Sequence, residues 1–145
     1  MKFEDLKFPI IEIDDEGWLT ICDEGSSITN TTSVGFKHGV GIGNLLVDTD
    51  GHVVQIVNIK KLPNAKKTWD WSLLGIIPVV FFPIEVILSE PTPMSLDEIK
   101  KKVLESVTKH LNFWDENWDT DNLMDQIKTA QDTKEIIEAF EKTQY

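Results

Sequence analysis

The chain has 145 residues, and its 25 acidic side chains against 14 basic ones give a formal net charge of −11 at pH 7. Hydrophobic residues make up 41% of the sequence, which supplies enough apolar surface to offset chain entropy and excludes a wholly disordered protein. All 14 basic residues are lysines, and because arginine makes the bidentate contacts to phosphate and guanine, its absence argues against nucleic-acid binding.

The length is typical of one domain, residues 1–145, but two regions of the sequence differ in pattern. Residues 1–90 contain short apolar runs separated by turn-forming residues, which predicts an antiparallel β-sheet or β-sandwich. Within this part, residues 10–13 and 17–22 predict two strands joined by an acidic turn. The second strand is apolar on both faces, so we expect it to be central in the sheet.

The dipeptide Asp50-Gly51, flanked by apolar runs, predicts a β-hairpin with a type I′ turn. Such a turn places Val47 opposite Val54. In residues 76–88, every second residue from Val80 to Leu88 is apolar, which predicts a long strand with one buried face. Its prolines cannot donate ladder hydrogen bonds, so we expect the strand to lie at an edge or to be interrupted by a bulge.

Residues 95–145 show helical periodicity, which makes the predicted fold class α+β. Ser95 and Glu98 form a capping box that predicts the start of a long amphipathic helix. Two short C-terminal helices are predicted at 122–130 and 134–141. The apolar face of the long helix is formed by Leu96, Ile99, Val103, Val107 and Leu111.

Catalytic and metal-binding patterns are absent from the sequence. Cys22 is the single cysteine, which excludes an internal disulfide and favours a reducing compartment. The three histidines lack metal-ligand spacing, so we expect no enzyme activity, no metal and no cofactor. Glu4 and Asp5 interrupt the first eight residues, where a signal peptide would need an uninterrupted apolar core. The longest apolar run, 73–88, is shorter than the roughly 20 residues of a membrane helix. We therefore expect a cytoplasmic protein without membrane contact.

The negative charge is concentrated toward both ends of the chain. Residues 1–27 contain eight acidic residues and two lysines, and residues 115–145 contain nine acidic residues and three lysines, so each segment carries −6. If the ends meet, they form one negative surface, whereas the simpler explanation is a solvated face that keeps the protein soluble. The clustered acids proposed for partner binding are Asp14, Asp15, Glu16, Asp23, Glu24, Asp115, Glu116, Asp119 and Asp121.

Tryptophans accompany these carboxylates. Trp114 and Trp118 are interleaved with acidic residues, and Trp69 and Trp71 flank Asp70. Large rigid aromatics with neighbouring charges are typical of protein interfaces, so all four tryptophans are candidate anchors for a partner. Alternatively, Trp114 and Trp118 lie four residues apart and anchor one helical turn on the core.

Two stretches, GWLTICDEGSSITNTTSVGFKHGVGIGNLLVDTDGHVVQI and DNLMDQIKTAQDTKEIIEAFEK, make the chain resemble bacterial immunity proteins of contact-dependent growth inhibition systems. The shared pattern is a small acidic domain, β-rich first and helical afterwards. The resemblance implies a cytoplasmic protein that binds the toxic domain of a secreted effector, often a nuclease, and blocks its active site or substrate path. In that role the acidic clusters would steer a basic nuclease and the tryptophans would anchor it.

Two other functions remain open at this stage. One is a single-stranded nucleic-acid-binding sheet that uses aromatics for stacking and the lysines Lys60, Lys61, Lys66 and Lys67 for the backbone. The other is a small hydrolase or ligand-binding domain that uses Cys22, His38 or His52.

Overall fold

One antiparallel sheet organises the first part of the chain in the computed structural model, which describes residues 1–63, 66–70 and 79–145. Within these residues seven strands pair in the order β2-β1-β4-β5-β7-β3, and β6 pairs with β7. The β-sandwich alternative is wrong, because the described strands form a single sheet. The strands are β1 (Ile10–Ile13), β2 (Leu19–Cys22), β3 (Asn30–Thr32), β4 (Leu45–Val47), β5 (Val53–Lys61), β6 (Thr68–Asp70) and β7 (Val79–Leu88).

Helices follow the sheet, which confirms the predicted α+β order. In the described residues of the β-rich part, two short α-helices occur where none was predicted. They span four and five residues, which is too short for a 3.6-residue period to be detected. The helices are α1 (Ser26–Thr29), α2 (Ser33–Lys37), α3 (Leu96–Lys109), α4 (Leu111–Asn117), α5 (Thr120–Thr129) and α6 (Thr133–Lys142).

Side-chain caps fix where the C-terminal helices begin. The Ser95 hydroxyl accepts the Glu98 N–H at 3.2 Å and the Glu98 carboxylate accepts the Ser95 N–H at 3.2 Å, so the predicted capping box is confirmed. Asp119 and Asp132 cap α5 and α6 in the same way by accepting a backbone N–H three residues later. The residues that α3 buries are Ile99, Val103, Ser106 and Val107.

The β4–β5 hairpin is confirmed, but its predicted register is wrong by one residue, because Val47 pairs with Val53 and not with the residue after it. The Gly51 N–H donates to the Asp48 carbonyl at 3.0 Å, and Gly51 adopts a φ of 87°. A hydrogen bond from Asp48 N–H to the His52 carbonyl at 3.0 Å then closes a three-residue loop. The Asp48 carboxylate also accepts the His52 N–H at 2.8 Å, which favours this loop over the two-residue turn.

Among the strands that the structure describes, β2 lies at the edge of the sheet and pairs with β1 alone, so the prediction of a central strand is wrong. Its two apolar faces are covered from above and below. Leu19 packs in the core beneath the helices, and Cys22 packs in the core on the opposite face. Apolar residues on both faces of a strand therefore indicate that both faces are packed. They do not indicate that another strand pairs with it on each side.

Strand β7 is not an edge strand, because it pairs with β5 and β6 along one side and with β3 along the other. Pro83 lies where the partner changes from β5, with Lys61 opposite Ile84, to β6, with Thr68 opposite Phe81. The missing proline N–H therefore falls at a break in the ladder. The β5–β7 pairing also contains a register shift, and the predicted strand residues 76–78 lie outside the described part.

Two apolar clusters occupy opposite faces of the sheet, since consecutive residues such as Leu46 and Val47 belong to different clusters. The helix-side cluster joins the sheet to α3, α4, α5 and α6. Leu123, Ile127 and Ile136 in this cluster are fully buried, and each stabilises the fold by about 1.5–3 kcal/mol. This packing fixes α4 and α6 close to the free edge of β2.

Candidate functional site

A groove of about 840 Å³ lies between the β2 edge and helices α4 and α6. We call it the edge groove. Its walls include Ile21 and Asp23 from the β2 region, Trp114 and Trp118 from the α4 region, and Glu141 from α6. It therefore brings together residues from both acidic segments and two of the four tryptophans proposed as anchors.

Aromatic side chains connect this groove with the turn between β1 and β2. The rings of Trp18 and His110 stack with centroids 3.6 Å apart and an interplanar angle of 10°. Phe113 contacts Trp18 edge-on at 5.4 Å and also contacts Trp114 at 5.3 Å. Trp18 and Phe113 keep 37% and 44% of their surface exposed, so this cluster offers aromatic surface to a partner.

The two acidic segments meet at this end of the molecule. His110 Nε2 lies 3.0 Å from the backbone oxygen of Glu16, which ties the first acidic turn to the start of α4. Asp23, from the first segment, and Glu141, from the second, line the same groove. Residues from both acidic segments therefore line one groove, and Asp23 is its single member from the clustered acids proposed for partner binding.

Most of the acidic charge has no close countercharge. Within residues 1–63, 66–70 and 79–145, ion pairs within 4.0 Å form only at Asp48, which pairs with His52, and at Glu138, which pairs with Lys134 at 3.8 Å and Lys142 at 3.7 Å. Asp23 and Glu141 are exposed and lack such a lysine. Their field therefore extends into solvent, where it can act on an approaching charged molecule.

The acids of the first segment have different roles. Asp14 accepts the N–H groups of Glu16 and Trp18, both at 2.9 Å, so its carboxylate shapes the β1–β2 turn. Asp15 and Glu16 are exposed on that turn. Glu24 is exposed as well, and its carboxylate accepts the hydroxyl of the nearby Ser26 at 2.8 Å.

The second acidic cluster lies on α4 and at the start of α5. Asp115 accepts a hydrogen bond from the Thr120 hydroxyl, and Asp119 caps α5. Glu116 and Asp121 are exposed. None of these four acids lines the edge groove, so the structure separates them from Asp23.

Three of the four candidate tryptophans are described, and each lies in a different environment. Trp114 is 3% exposed and belongs to the helix-side core, which fits the core-anchor explanation. Trp118 is half-buried, and its Nε1–H donates to the Phe140 carbonyl at 2.7 Å. Trp69 is 59% exposed on β6, outside the edge groove, and Trp71 lies outside the described residues.

One buried donor at the groove lacks an acceptor. Trp114 lines the groove, and its Nε1–H has no hydrogen-bond partner among the residues that the structure describes. Buried polar groups are normally paired, because an unpaired one costs about 1–3 kcal/mol. The Nε1 atom is shielded from solvent, so this unpaired donor is a cost of packing Trp114 in the core.

Asp48 is a fully buried carboxylate that was not among the acidic residues predicted for partner binding. Its Oδ2 lies 3.0 Å from His52 Nδ1 and accepts the Lys7 N–H at 3.2 Å. Beside it, the Thr49 hydroxyl donates to the Pro9 carbonyl at 2.8 Å. Because Pro9 and Thr49 line the edge groove, we call these contacts the groove clamp. The sequence signal that could have revealed this clamp is Asp48 four residues before His52, with the turn-forming Gly51 between them.

The Cys22 thiol has the properties of a core group. Burial raises its pKa from 9.0 to about 11, and the neighbouring Glu12 carboxylate, 3.5 Å away, contributes to the rise. A protonated thiol at neutral pH is a poor nucleophile. The hydrolase alternative therefore lacks an activated nucleophile at this position.

The described ranges contain no group of three or more histidine, cysteine, aspartate or glutamate side chains arranged to hold a metal ion. No helix in that part of the chain combines the length and the apolar character needed to cross a membrane. The lysines of the nucleic-acid alternative, Lys60, Lys61, Lys66 and Lys67, are exposed near Trp69 and lie outside the edge groove.

Comparison with known proteins gives no family assignment. No family model, curated protein or solved structure matches the chain. The resemblance to immunity proteins stays a prediction, and the function has to be argued from the edge groove.

Proposed function

We propose that the protein is an inhibitor that binds a basic toxin domain, such as a nuclease, and blocks its active site or its substrate path. The observation that carries this proposal is the edge groove, where Asp23 and Glu141 lie beside Trp118 without a lysine within 4.0 Å of either carboxylate. Lys134 also lines the groove but pairs with Glu138 at 3.8 Å, so the carboxylates without a close lysine are those of Asp23 and Glu141, and the binding chemistry is anionic and aromatic.

The electrostatic argument starts from the net charge of −11 and its concentration in two segments that meet at one end. A nuclease presents a cationic groove to the phosphates of its substrate. Long-range attraction between such a groove and an acidic surface raises association rates by about 10- to 1,000-fold at low salt. The same carboxylates compete with phosphate for the groove, which is how binding becomes inhibition.

Aromatic contact supplies affinity that electrostatic steering alone does not. Phe113 is 44% exposed and Trp118 is half-buried at the groove wall. Large aromatics that are partly fixed before binding lose little entropy and often dominate interface energies. Trp114 holds both rings from the core side, with its ring centroid 4.8 Å from that of Trp118.

The decisive experiment uses the product of the adjacent reading frame as the partner. Native mass spectrometry of the two purified proteins is expected to show a one-to-one complex, and coexpression is expected to relieve the growth defect that the partner causes. Absence of a complex, or a complex that leaves the toxic activity intact, would contradict the proposal.

Charge-reversal variants test whether the groove itself binds. Asp23→Lys combined with Glu141→Lys is expected to weaken binding by at least about tenfold and to flatten its salt dependence. The matched control combines Glu90→Lys with Glu105→Lys, two exposed residues outside the groove that give the same change of net charge. Equal losses in the two double variants would show that overall charge, and not the groove, determines affinity.

The nucleic-acid alternative uses a different surface and has one observation in its favour. Trp69 is 59% exposed on the segment that also carries Lys66 and Lys67. Stacking on such a ring contributes about 1–3 kcal/mol per base. Quenching of tryptophan fluorescence by a single-stranded oligonucleotide, lost in Trp69→Ala, would support this alternative over inhibition.

A further inference from the structure

We infer that the free edge of β2 binds an extended basic segment of the partner as an additional antiparallel or parallel strand. This inference rests on the proposed function and specifies how the partner is held. It is carried by three observations: the backbone groups that β2 leaves open, the position of the edge groove beside them, and the charge that surrounds both.

The hydrogen-bonding pattern shows which backbone groups of β2 point outward. The Asp14 N–H donates to the Trp18 carbonyl at 3.0 Å, which marks a hydrogen-bonded pair of the β1–β2 ladder. Such pairs alternate along antiparallel strands, so Thr20 also bonds to β1, whereas Leu19 and Ile21 direct their N–H and C=O groups away from it. No other described group bonds to the backbone of Leu19 or Ile21.

The sequence of β2 leaves this edge unprotected. Natural edge strands are commonly blocked by lysine, by proline or by a bulge. The four residues of β2 are Leu-Thr-Ile-Cys, and they pair with β1 without a register shift. An edge that is open and regular is a template for another strand.

The edge groove lies where side chains of an added strand would go. The side chains of Leu19 and Ile21 point toward the helix-side core, and both residues line the groove. Side chains of a strand alternate between the two faces of a sheet, so every second residue of an added strand would enter the groove toward α4 and α6. Trp114 also lines this groove, and its buried ring packs against Phe113 and Trp118 at the groove wall.

Charge selects the occupant of this edge. Asp23 and Glu24 follow β2 directly, and Glu141 faces them across the groove region. A second copy of this chain would bring its own Asp23 and Glu24 to the same edge, where like charges repel. A segment with lysine or arginine at alternate positions would instead pair its cations with these carboxylates.

Hydrogen exchange of the ¹⁵N-labelled full chain tests the inference with the peptide acetyl-Lys-Val-Lys-Val-Lys-Val-amide as the probe. The Leu19 and Ile21 amides are expected to exchange at least about tenfold more slowly at saturating peptide, whereas the Thr20 amide, already bonded to β1, is expected to change little. The same peptide N-methylated at every residue keeps its charge but has no N–H group to donate on either edge, so it is expected to give no protection. Binding without protection of Leu19 and Ile21, or no binding, would overturn the inference.

A substituted edge provides a second measurement. Thr20 is exposed on β2, and Thr20→Lys places a cation where the basic peptide must approach. We expect the peptide dissociation constant to rise at least about fivefold. Thr108→Lys on the exposed side of α3 makes the same chemical change outside the edge groove and is the control. Equal effects of the two variants would contradict strand addition.

The complex with the toxin domain separates this inference from the proposed function. If that complex forms and relieves toxicity while the Leu19 and Ile21 amides remain unprotected, inhibition stands and strand addition is wrong. If the peptide protects both amides but the adjacent gene product does not bind, strand addition stands and the proposed function is wrong.

Discussion

The groove clamp gives the sharpest stability prediction, because Asp48 is 0% exposed and yet carries a carboxylate. Its two oxygens accept the backbone N–H groups of His52 at 2.8 Å and Lys7 at 3.2 Å, and one oxygen also lies 3.0 Å from His52 Nδ1. The clamp therefore links the β4–β5 turn to the segment that precedes β1. Asp48→Ala removes all three contacts at once.

The expected loss follows from the groups left behind. Two part-buried backbone donors lose their acceptor, and each unpaired donor costs about 1–3 kcal/mol. The imidazole of His52 is 45% exposed and recovers hydrogen bonds with water, so it adds little. Because both donors are only part-buried, the lower part of the summed range applies, and we expect Asp48→Ala to lower the free energy of unfolding by about 2–4 kcal/mol. This is a large share of the 5–15 kcal/mol typical of a domain. Asp48→Asn keeps one acceptor and should lose about half as much.

Urea unfolding followed by tryptophan fluorescence measures this loss. The midpoint is expected to fall by about 1–2 M in Asp48→Ala, with an unchanged slope. Asp50→Ala is the matched control, because Asp50 is an exposed aspartate in the same turn, and we expect a change within about 0.5 kcal/mol. Equal midpoints for the two variants would refute the clamp. Because Pro9 lines the edge groove, the variant is also expected to weaken partner binding.

Two further predictions concern single side chains. Ser95→Ala removes the capping box of α3 and is expected to cost about 1 kcal/mol in urea unfolding, whereas Ser95→Thr should restore most of it. The Cys22 thiol, with its pKa raised by burial to about 11, should resist labelling by a disulfide reagent at pH 8 until urea unfolds the chain. Since the pKa of the folded thiol lies above its usual value of 9.0, the thiol's contribution to stability is complete below pH 9 and is lost as the pH rises through 11. The decline in stability over that range should be smaller in Cys22→Ala, and an identical decline would contradict the burial argument.

Local signals made part of the fold predictable. The capping box at Ser95 and the glycine turn at Gly51 depend on a few consecutive residues, and both were located correctly. The hairpin register was not, because it depends on the buried side chain of Asp48, whose burial follows from contacts with the distant Lys7. The edge position of β2 was also missed. A strand whose two faces are packed against other elements has the same apolar pattern whether it lies at the edge or in the middle of the sheet.

The sequence predicted the types of residue that form the candidate site, but not which particular residues form it. Sequence reasoning selected aspartates by charge, and the structure uses several of them locally: Asp14 in a turn and Asp119 as a helix cap. Aspartate is favoured in turns and caps for its short acceptor side chain, so charge clusters and local structure draw on the same residues. Asp23 differs because it follows an edge strand and faces α6, and no local pattern reveals either fact.

The position of the acidic residues around β2 resolves an apparent conflict in the fold. A regular edge strand without lysine or proline invites pairing between copies of the same chain. Asp23 and Glu24 at its end, in a chain of net charge −11, make that pairing repulsive while leaving the backbone groups of Leu19 and Ile21 open. A lysine in β2 would also have prevented self-association, but it would have repelled a basic partner. Negative charge is the protection that keeps the edge available to a cationic segment, which is why the charge and the open edge are best explained together.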